Sequence, residues 1–138
     1  MPPVVIHPLL HSGVSEARAY QLDAVRAALG ANTLLVLPTG FGKTPVAWLV
    51  IAERLNSNDG WALMVAPSVP LVNQHLSEAK KWLKLPKEEV VSLTGRIAPA
   101  KRLPTYGTAR LIIATPEVIR NDVISGNLDL THCCLFIA

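Results

Sequence analysis

Cysteine is scarce in this chain, and the two that occur, Cys133 and Cys134, are adjacent in an apolar stretch. Adjacent residues of a strand point to opposite faces, so the pair supplies neither a disulfide framework nor the spacing of a metal site. We expect both to be small core residues. The four histidines are scattered without ligand spacing, so the sequence predicts no metal site built from histidine or cysteine.

Long apolar runs are also missing. No run approaches the roughly 18 to 20 residues needed to span a bilayer, and the first ten residues lack the basic start and the long apolar stretch of a secretion signal. Charged residues make up only 17% of the chain, whereas 50% of the residues are apolar, which is typical of a globular domain. At 138 residues we expect one intracellular domain with no membrane partner.

Positive charge is unevenly placed along the chain. Residues 80–102 carry seven basic residues against two acidic ones, although the net charge of the whole chain is only +3. The basic residues are Lys80, Lys81, Lys84, Lys87, Arg96, Lys101 and Arg102. Such a patch can contact a phosphate backbone, but a solvated helix face and loop explain it equally simply.

Short apolar runs alternate with segments of helical spacing. Strands are predicted at residues 33–37, 61–66, 90–93, 111–114 and 133–138. Helices are predicted at residues 15–30, where Ser15 can cap the start, and at 42–55, 71–83 and 116–125. Apolar strands that alternate with helices indicate a parallel sheet covered on both faces, so the predicted class is α/β with three layers. Core or half-buried positions are predicted for Trp48, Trp61 and Trp82.

The stretch LPTGFGKT, residues 37–44, stands between a predicted buried strand and a predicted helix. Backbone N–H groups converge at such a turn, which suits a polyphosphate. Lys43 would reach the β- and γ-phosphates, and the Thr44 hydroxyl would hold Mg²⁺. The strict phosphate-loop pattern is incomplete, because Leu37 stands where its first glycine is expected. The residues predicted to bind the nucleotide are Thr39, Gly40, Phe41, Gly42, Lys43 and Thr44.

Three further stretches follow the phosphate loop in a fixed order: APSVPLVNQ at residues 66–74, LTG at 93–95 and ATPEVIRND at 114–122. Together with Gln21, which precedes the loop by about twenty residues, this series resembles superfamily 2 helicases of the DEAD/DEAH type. The resemblance covers residues 18–138 and is closest to the branch of Hef and the Fanconi anaemia M translocase. It implies a P-loop NTPase domain of the RecA-like kind.

The resemblance also implies functional residues. Gln21 would contact the adenine of ATP, and Mg²⁺ would accompany the phosphates. The residues that would grip one strand of DNA or RNA are Pro67, Ser68, Gln74, Thr94, Gly95, Thr115 and Pro116. Each assignment has a structural alternative: Gln21 and Gln74 suit a solvated helix surface, and Thr115 with Pro116 makes a good helix start in any protein.

The resemblance further implies a truncated domain. In the family, a strand such as residues 133–138 leads into Asp-Glu-x-His, whose acids hold Mg²⁺ and position the attacking water. We expect residues 1–14 to be an extension and residues 15–138 to be part of a first RecA-like domain, which in a longer chain would work with a second one. The expected compartment is the cytoplasm, or the nucleoid or nucleus for a DNA-directed protein. Alone, the chain should hydrolyse ATP near the background rate.

Two alternatives remain open from the sequence. A P-loop kinase or another NTPase acting on a small molecule would share the phosphate loop. A non-catalytic nucleic-acid-binding module would share the strand-end motifs.

Overall fold

The computed structural model describes residues 7–11, 19–30 and 43–138, without the side chains of residues 19, 20 and 43–45. Its helices are α1 Ala19–Gly30, α2 Lys43–Ser57, α3 Val69–Trp82, α4 Pro99–Arg102 and α5 Pro116–Ile124. Its strands are β1 Trp61–Val65, β2 Val90–Leu93, β3 Leu111–Ala114 and β4 Cys133–Ile137. Short 3-10 helices occupy Lys87–Glu89 and Leu103–Gly107. The predicted cap at Ser15, the predicted strand at residues 33–37 and the phosphate loop as far as Gly42 lie outside the described residues.

The four strands form one sheet in the order β2-β3-β1-β4, and every neighbouring pair is parallel. The three strands β2, β3 and β1 are in close register, since Ala62 of β1 and Val90 of β2 both lie opposite Leu111 of β3. The strands are apolar except for Ser92 of β2, which is typical of a parallel sheet whose faces are covered by helices. The predicted parallel α/β class is therefore confirmed.

Alternate residues of the strands enter two separate apolar clusters. Ala62 and Met64 of β1 pack in one cluster with residues of α1, α2 and α3, while Leu63 packs in the other with Val118 and Ile119 of α5. Three helices therefore cover one face of the sheet, and α5 covers the opposite face. The predicted three-layer arrangement is confirmed.

The tryptophans and cysteines follow the same two faces. Trp48 is fully buried, and Trp61 and Trp82 are partly buried against the clusters, as predicted. Cys134 and Cys133 pack against opposite clusters, but both are only half-buried because β4 is the outer strand of the described sheet. Burial nevertheless raises the pKa of the Cys133 thiol.

Residues 7–11 pack against the domain. The N–H of His11 donates to the carbonyl of Trp82 at 3.0 Å, and the N–H of Lys84 donates to the carbonyl of Leu9 at 2.7 Å. Between these bonds, the Leu10 residue is only 5% exposed and joins the main apolar cluster. This described part of the predicted extension is tied to the end of α3, while the boundary between residues 14 and 15 stays a prediction.

Arg110, which precedes β3, joins three chain segments at the amino end of the sheet. Its guanidinium donates to the carbonyls of Leu55, Asn58 and Gly60 at 2.7, 2.8 and 2.8 Å. These bonds satisfy carbonyl groups where α2 ends and the chain turns into β1. No helix in the described ranges is long and apolar enough to cross a membrane.

Replacing Gly60 by alanine should destabilise the fold. A Cβ at this position would overlap the carbonyl oxygen of His132, which is backbone and which accepts the N–H of Trp61 at 3.1 Å. We expect a loss of about 1–3 kcal/mol in the free energy of unfolding, measured by urea denaturation. Gly107→Ala is the matched control, because nothing lies near its Cβ position, and it should change stability by less than about 0.5 kcal/mol. Equal stability of the two variants would contradict the close approach of His132.

Candidate nucleic-acid interface

Three parallel strands end at the same edge of the sheet, and the predicted contact residues follow those ends. Pro67 and Ser68 follow β1, Thr94 and Gly95 follow β2, and Thr115 and Pro116 follow β3. Loops at the carboxyl ends of parallel strands gather along one edge, where α/β proteins bind ligands. Gln74 differs from these six, because it lies inside α3.

Two of these strand ends lead directly into helices. Ser68 caps α3, and its hydroxyl accepts the N–H of Leu71 at 3.4 Å. Thr115 precedes α5 with extended backbone angles, but its side chain makes no capping bond to that helix. Pro70 and Pro116 carry no N–H, so the first-turn N–H groups left to donate to an anion are those of Val69 in α3 and of Glu117 and Val118 in α5.

The turn after β2 exposes Gly95. Thr94 is only 7% exposed; its hydroxyl accepts the N–H of Arg96 at 3.4 Å, and its carbonyl accepts the N–H of Ile97 at 3.1 Å. Thr94 therefore shapes the turn. Apart from Gly95 itself and its two chain neighbours, no residue of the described ranges has an atom within 4 Å of a Cβ built on Gly95, and the φ of Gly95 is not in the left-handed region. Nothing within the described fold requires glycine here.

A cleft of about 570 Å³ lies among these loops. Its lining residues are Pro67, Ser68, Val69, Gly95, Pro99, Arg102, Thr115, Glu117, Val118 and Asn121. Four of the predicted contact residues, Pro67, Ser68, Gly95 and Thr115, thus share one cavity although they follow three different strands. Thr94 and Pro116 are sequence neighbours of the lining, whereas Gln74 is not part of it.

Gln74 has a local partner on its own helix. Its side chain is exposed, and Nε2 donates to Oε1 of Glu78 at 3.3 Å. This contact is consistent with the alternative that Gln74 is a surface helix residue, and its nucleic-acid role stays a prediction.

The fold divides the basic segment between the two ends of the sheet. Lys80 and Lys81 are exposed in the last turn of α3, and Lys84 and Lys87 precede the start of β2, so all four lie toward the amino ends of the strands. Arg96 and Lys101 are exposed on the cleft side, after β2. Residues 80–102 therefore do not form one continuous basic surface, because a helix that crosses back over the sheet carries its last turn to the opposite edge, and the exposed positions are consistent with the alternative of a solvated helix face and loop.

Arg102 is unavailable for a phosphate contact, because it forms a buried ion pair. It is 4% exposed, and its Nε and Nη2 donate to the two carboxylate oxygens of Asp122, 2% exposed, at 2.8 and 2.7 Å. Tyr106 donates its hydroxyl to the same carboxylate, and Nη1 of Arg102 donates to the carbonyl of Ile97. The pair joins α4 to α5, and residues of both helices line the cleft.

The contacts in this cluster shift the pKa values of Arg102, Tyr106 and Asp122. The hydrogen bonds from Arg102 hold the pKa of Asp122 below its ordinary value, and the same bonds raise the pKa of Arg102. Burial and the hydrogen bond to Asp122 raise the pKa of Tyr106 well above its ordinary value. Sequence reasoning missed this cluster, since residues 20 apart gave no periodic signal that they would meet.

The predicted nucleotide site is described only in part. α2 ends at Ser57, shortly before the amino end of β1, and packs against β1 and β4, so its first turn with Lys43 and Thr44 lies toward the carboxyl edge. Gln21 on α1 is only 5% exposed, and α1 packs against α2. Gln21 is therefore not a simple solvated helix residue, while its contact with adenine stays a prediction.

Comparison with known proteins gives consistent matches. The sequence profile of the DEAD/DEAH box helicases matches residues 18–138. A Methanocaldococcus jannaschii protein named as an ATP-dependent RNA helicase is 45% identical over 132 residues, and Drosophila melanogaster Fancm, named as an ATP-dependent DNA helicase, is 37% identical over 111 residues. These alignments cover 96% and 80% of the chain, but only 17% and 8% of the two relatives.

Among solved structures, the helicase domain of Hef from Pyrococcus furiosus superposes with a TM-score of 0.87 at 36% identity. The superposition covers 93% of this chain and 27% of the Hef chain. The agreement in fold extends across the described sheet and its helices.

Asp122→Asn should destabilise the protein strongly. It leaves the Arg102 guanidinium buried without its counter-charge, for which we expect a loss of about 3–5 kcal/mol in the free energy of unfolding near neutral pH. Because the folded pKa of Asp122 is lowered, its contribution is present above about pH 4 and is lost as the pH falls through that lower value. The difference between wild type and variant, measured by urea denaturation, should therefore narrow in acid.

Asp23→Asn is the control for this experiment. Asp23 is exposed on α1, 3.5 Å from Arg26, and such surface pairs contribute less than about 1 kcal/mol. If Asp122→Asn lowered the free energy of unfolding no more than Asp23→Asn does, the buried pair would not hold α4 to α5.

Proposed function

The chain belongs to the DEAD/DEAH box helicase family, as its motifs predicted, and from this premise we propose that it is the ATP-binding and strand-gripping part of a helicase or translocase motor. The observation that carries the proposal is the shared cleft. Pro67, Ser68, Gly95 and Thr115 come from three strand ends and line one cavity at the carboxyl edge of the sheet.

The chemistry of this edge suits a nucleic-acid backbone. The N–H groups of Val69 in α3 and of Glu117 and Val118 in α5 are available donors, and such donors bind phosphate oxygens without reading bases. The exposed Gly95 lets a strand approach the backbone of the chain closely, because no side chain stands there. These features support binding that is largely independent of sequence, as a translocating motor requires. DNA and RNA both present such a backbone.

The nucleotide would bind next to this grip, at the same edge. The loop from Thr39 to Gly42 and the first turn of α2 would hold the phosphates of ATP, with Lys43 at the β- and γ-phosphates and Gln21 at the adenine. Thr44 would hold Mg²⁺, which supplies charge neutralisation for the phosphates when bound. The position of the α2 N-terminus at the carboxyl edge supports this assignment.

β1 connects the proposed nucleotide site with the proposed strand grip. It has β4 on one side and β3 on the other, it packs against α2, and the chain that follows it contributes Pro67 and Ser68 to the cleft. β1 therefore links α2, the helix that follows the phosphate loop, to the residues of the proposed strand grip.

Hydrolysis requires residues beyond these 138. The sequence contains no Asp-Glu pair that could hold Mg²⁺ and position water. We propose that the acids and the second RecA-like domain belong to a longer protein, since the chain spans 17% or less of the two relatives described above. By itself the chain should bind ATP with little turnover.

Lys43→Ala should weaken nucleotide binding. Removal of the ammonium that faces the β- and γ-phosphates should lower the affinity for a fluorescent ATP analogue by about tenfold or more. Lys84→Ala removes the same charge from an exposed position toward the amino ends of the strands and should leave the affinity unchanged. An unaltered affinity in Lys43→Ala would remove the phosphate-loop assignment.

Gly95→Ala should weaken single-stranded nucleic-acid binding without affecting stability. The chain itself has room for the added methyl group, so a cost should arise only when a strand lies against the backbone. We expect a several-fold loss of affinity for a labelled oligonucleotide in fluorescence anisotropy, of the order of 1 kcal/mol. Gly107→Ala, which has equal room but lies outside the cleft, is the control. Equal affinities of both variants and the wild type would place the strand elsewhere.

A further inference from the structure

The cleft is lined by two charged side chains, Arg102 and Glu117. The positive charge of Arg102 is compensated, because its Nε and Nη2 donate to the carboxylate of Asp122 and its Nη1 donates to the carbonyl of Ile97. The Glu117 side chain makes no hydrogen bond or ion pair within the described part of the structure, and the residue is exposed. The fixed charge of the lining is therefore dominated by one carboxylate, which is unexpected for a surface that binds phosphates.

Glu117 stands in the first turn of α5, directly after Pro116. The N–H groups of this turn are the donors that α5 offers to a phosphate, and Asn121, one turn further along the same face, also lines the cleft. A carboxylate at this point repels a phosphate that approaches those donors. It also offsets the positive end of the helix dipole that would attract that phosphate.

We propose that Glu117 limits the affinity of the cleft for a nucleic-acid backbone and so determines how tightly the strand is held. The proposal rests on the function proposed above. Neutral N–H donors would then attract the strand, and one negative charge would repel it. This balance favours a strand that is released easily. Arg96 and Lys101, exposed on the same side of the sheet, supply attraction outside the lining.

A purely structural role for Glu117 predicts different behaviour. An acidic residue in the first turn stabilises a helix through its dipole, so neutralising it would slightly lower the melting temperature and would not improve binding. Measurements of oligonucleotide affinity and of protein stability therefore distinguish the two roles. The salt dependence of the affinity is a further readout, since repulsion between exposed charges is screened by salt.

The test measures the anisotropy of a fluorescent oligodeoxythymidylate with the full chain at low and high salt. Glu117→Gln keeps the shape and removes the charge, and it should bind about three- to tenfold more tightly at low salt, with the gain shrinking as salt rises. Glu88→Gln makes the same change of net charge at an exposed residue just before β2, at the opposite end of the sheet, and should change affinity by less than about twofold.

The outcomes distinguish the two proposals. Binding that weakens in Gly95→Ala but does not tighten in Glu117→Gln would overturn the role of Glu117 and leave the proposed function in place. An equal gain in Glu88→Gln would also overturn it, because net charge alone would then explain the effect. Absence of oligonucleotide binding by the wild type and by Glu117→Gln would overturn the proposed strand grip, and the role of Glu117 with it.

Discussion

Parallel pairing of β1, β2 and β3 is the constraint on which the rest of the structure depends. Because these strands run in one direction, every chain segment that leaves a strand does so at one edge. Ser68, Gly95 and Thr115 are far apart in sequence, yet this geometry brings them to one cleft. Each connection must then return to the amino edge, and the helices that make this return cover the two faces of the sheet.

The same return path explains the distribution of charge. α3 begins at the cleft with Ser68 and carries Lys80 and Lys81 away from it, so a basic segment of sequence does not become a basic surface beside the cleft. Arg102 is removed from that surface by its ion pair with Asp122. What remains near the strand ends is a small set of N–H donors, the carboxylate of Glu117 in the cleft lining, and the exposed Arg96 and Lys101 outside that lining.

The buried ion pair has a structural consequence for this edge. Residues of α4 and α5 both line the cleft, and the pair joins these two helices directly. A bidentate pair with an added tyrosine hydroxyl holds them in a defined geometry, since both oxygens of Asp122 are occupied.

The sequence by itself determined the class of fold, the family, and the order and approximate bounds of the four described strands and the four longer helices, but it did not predict α4 or the two 3-10 helices. The apolar run at residues 111–114 has the length of a buried strand, and the spacing of apolar residues in 116–124 favours an amphipathic helix. Motif order likewise identified the strand ends that carry Ser68, Gly95 and Thr115. Only the tertiary structure decided which charges meet. Whether Arg102 faces phosphate or Asp122 depends on helix directions and on contacts between residues 20 apart, and periodicity in one dimension contains no information about such contacts.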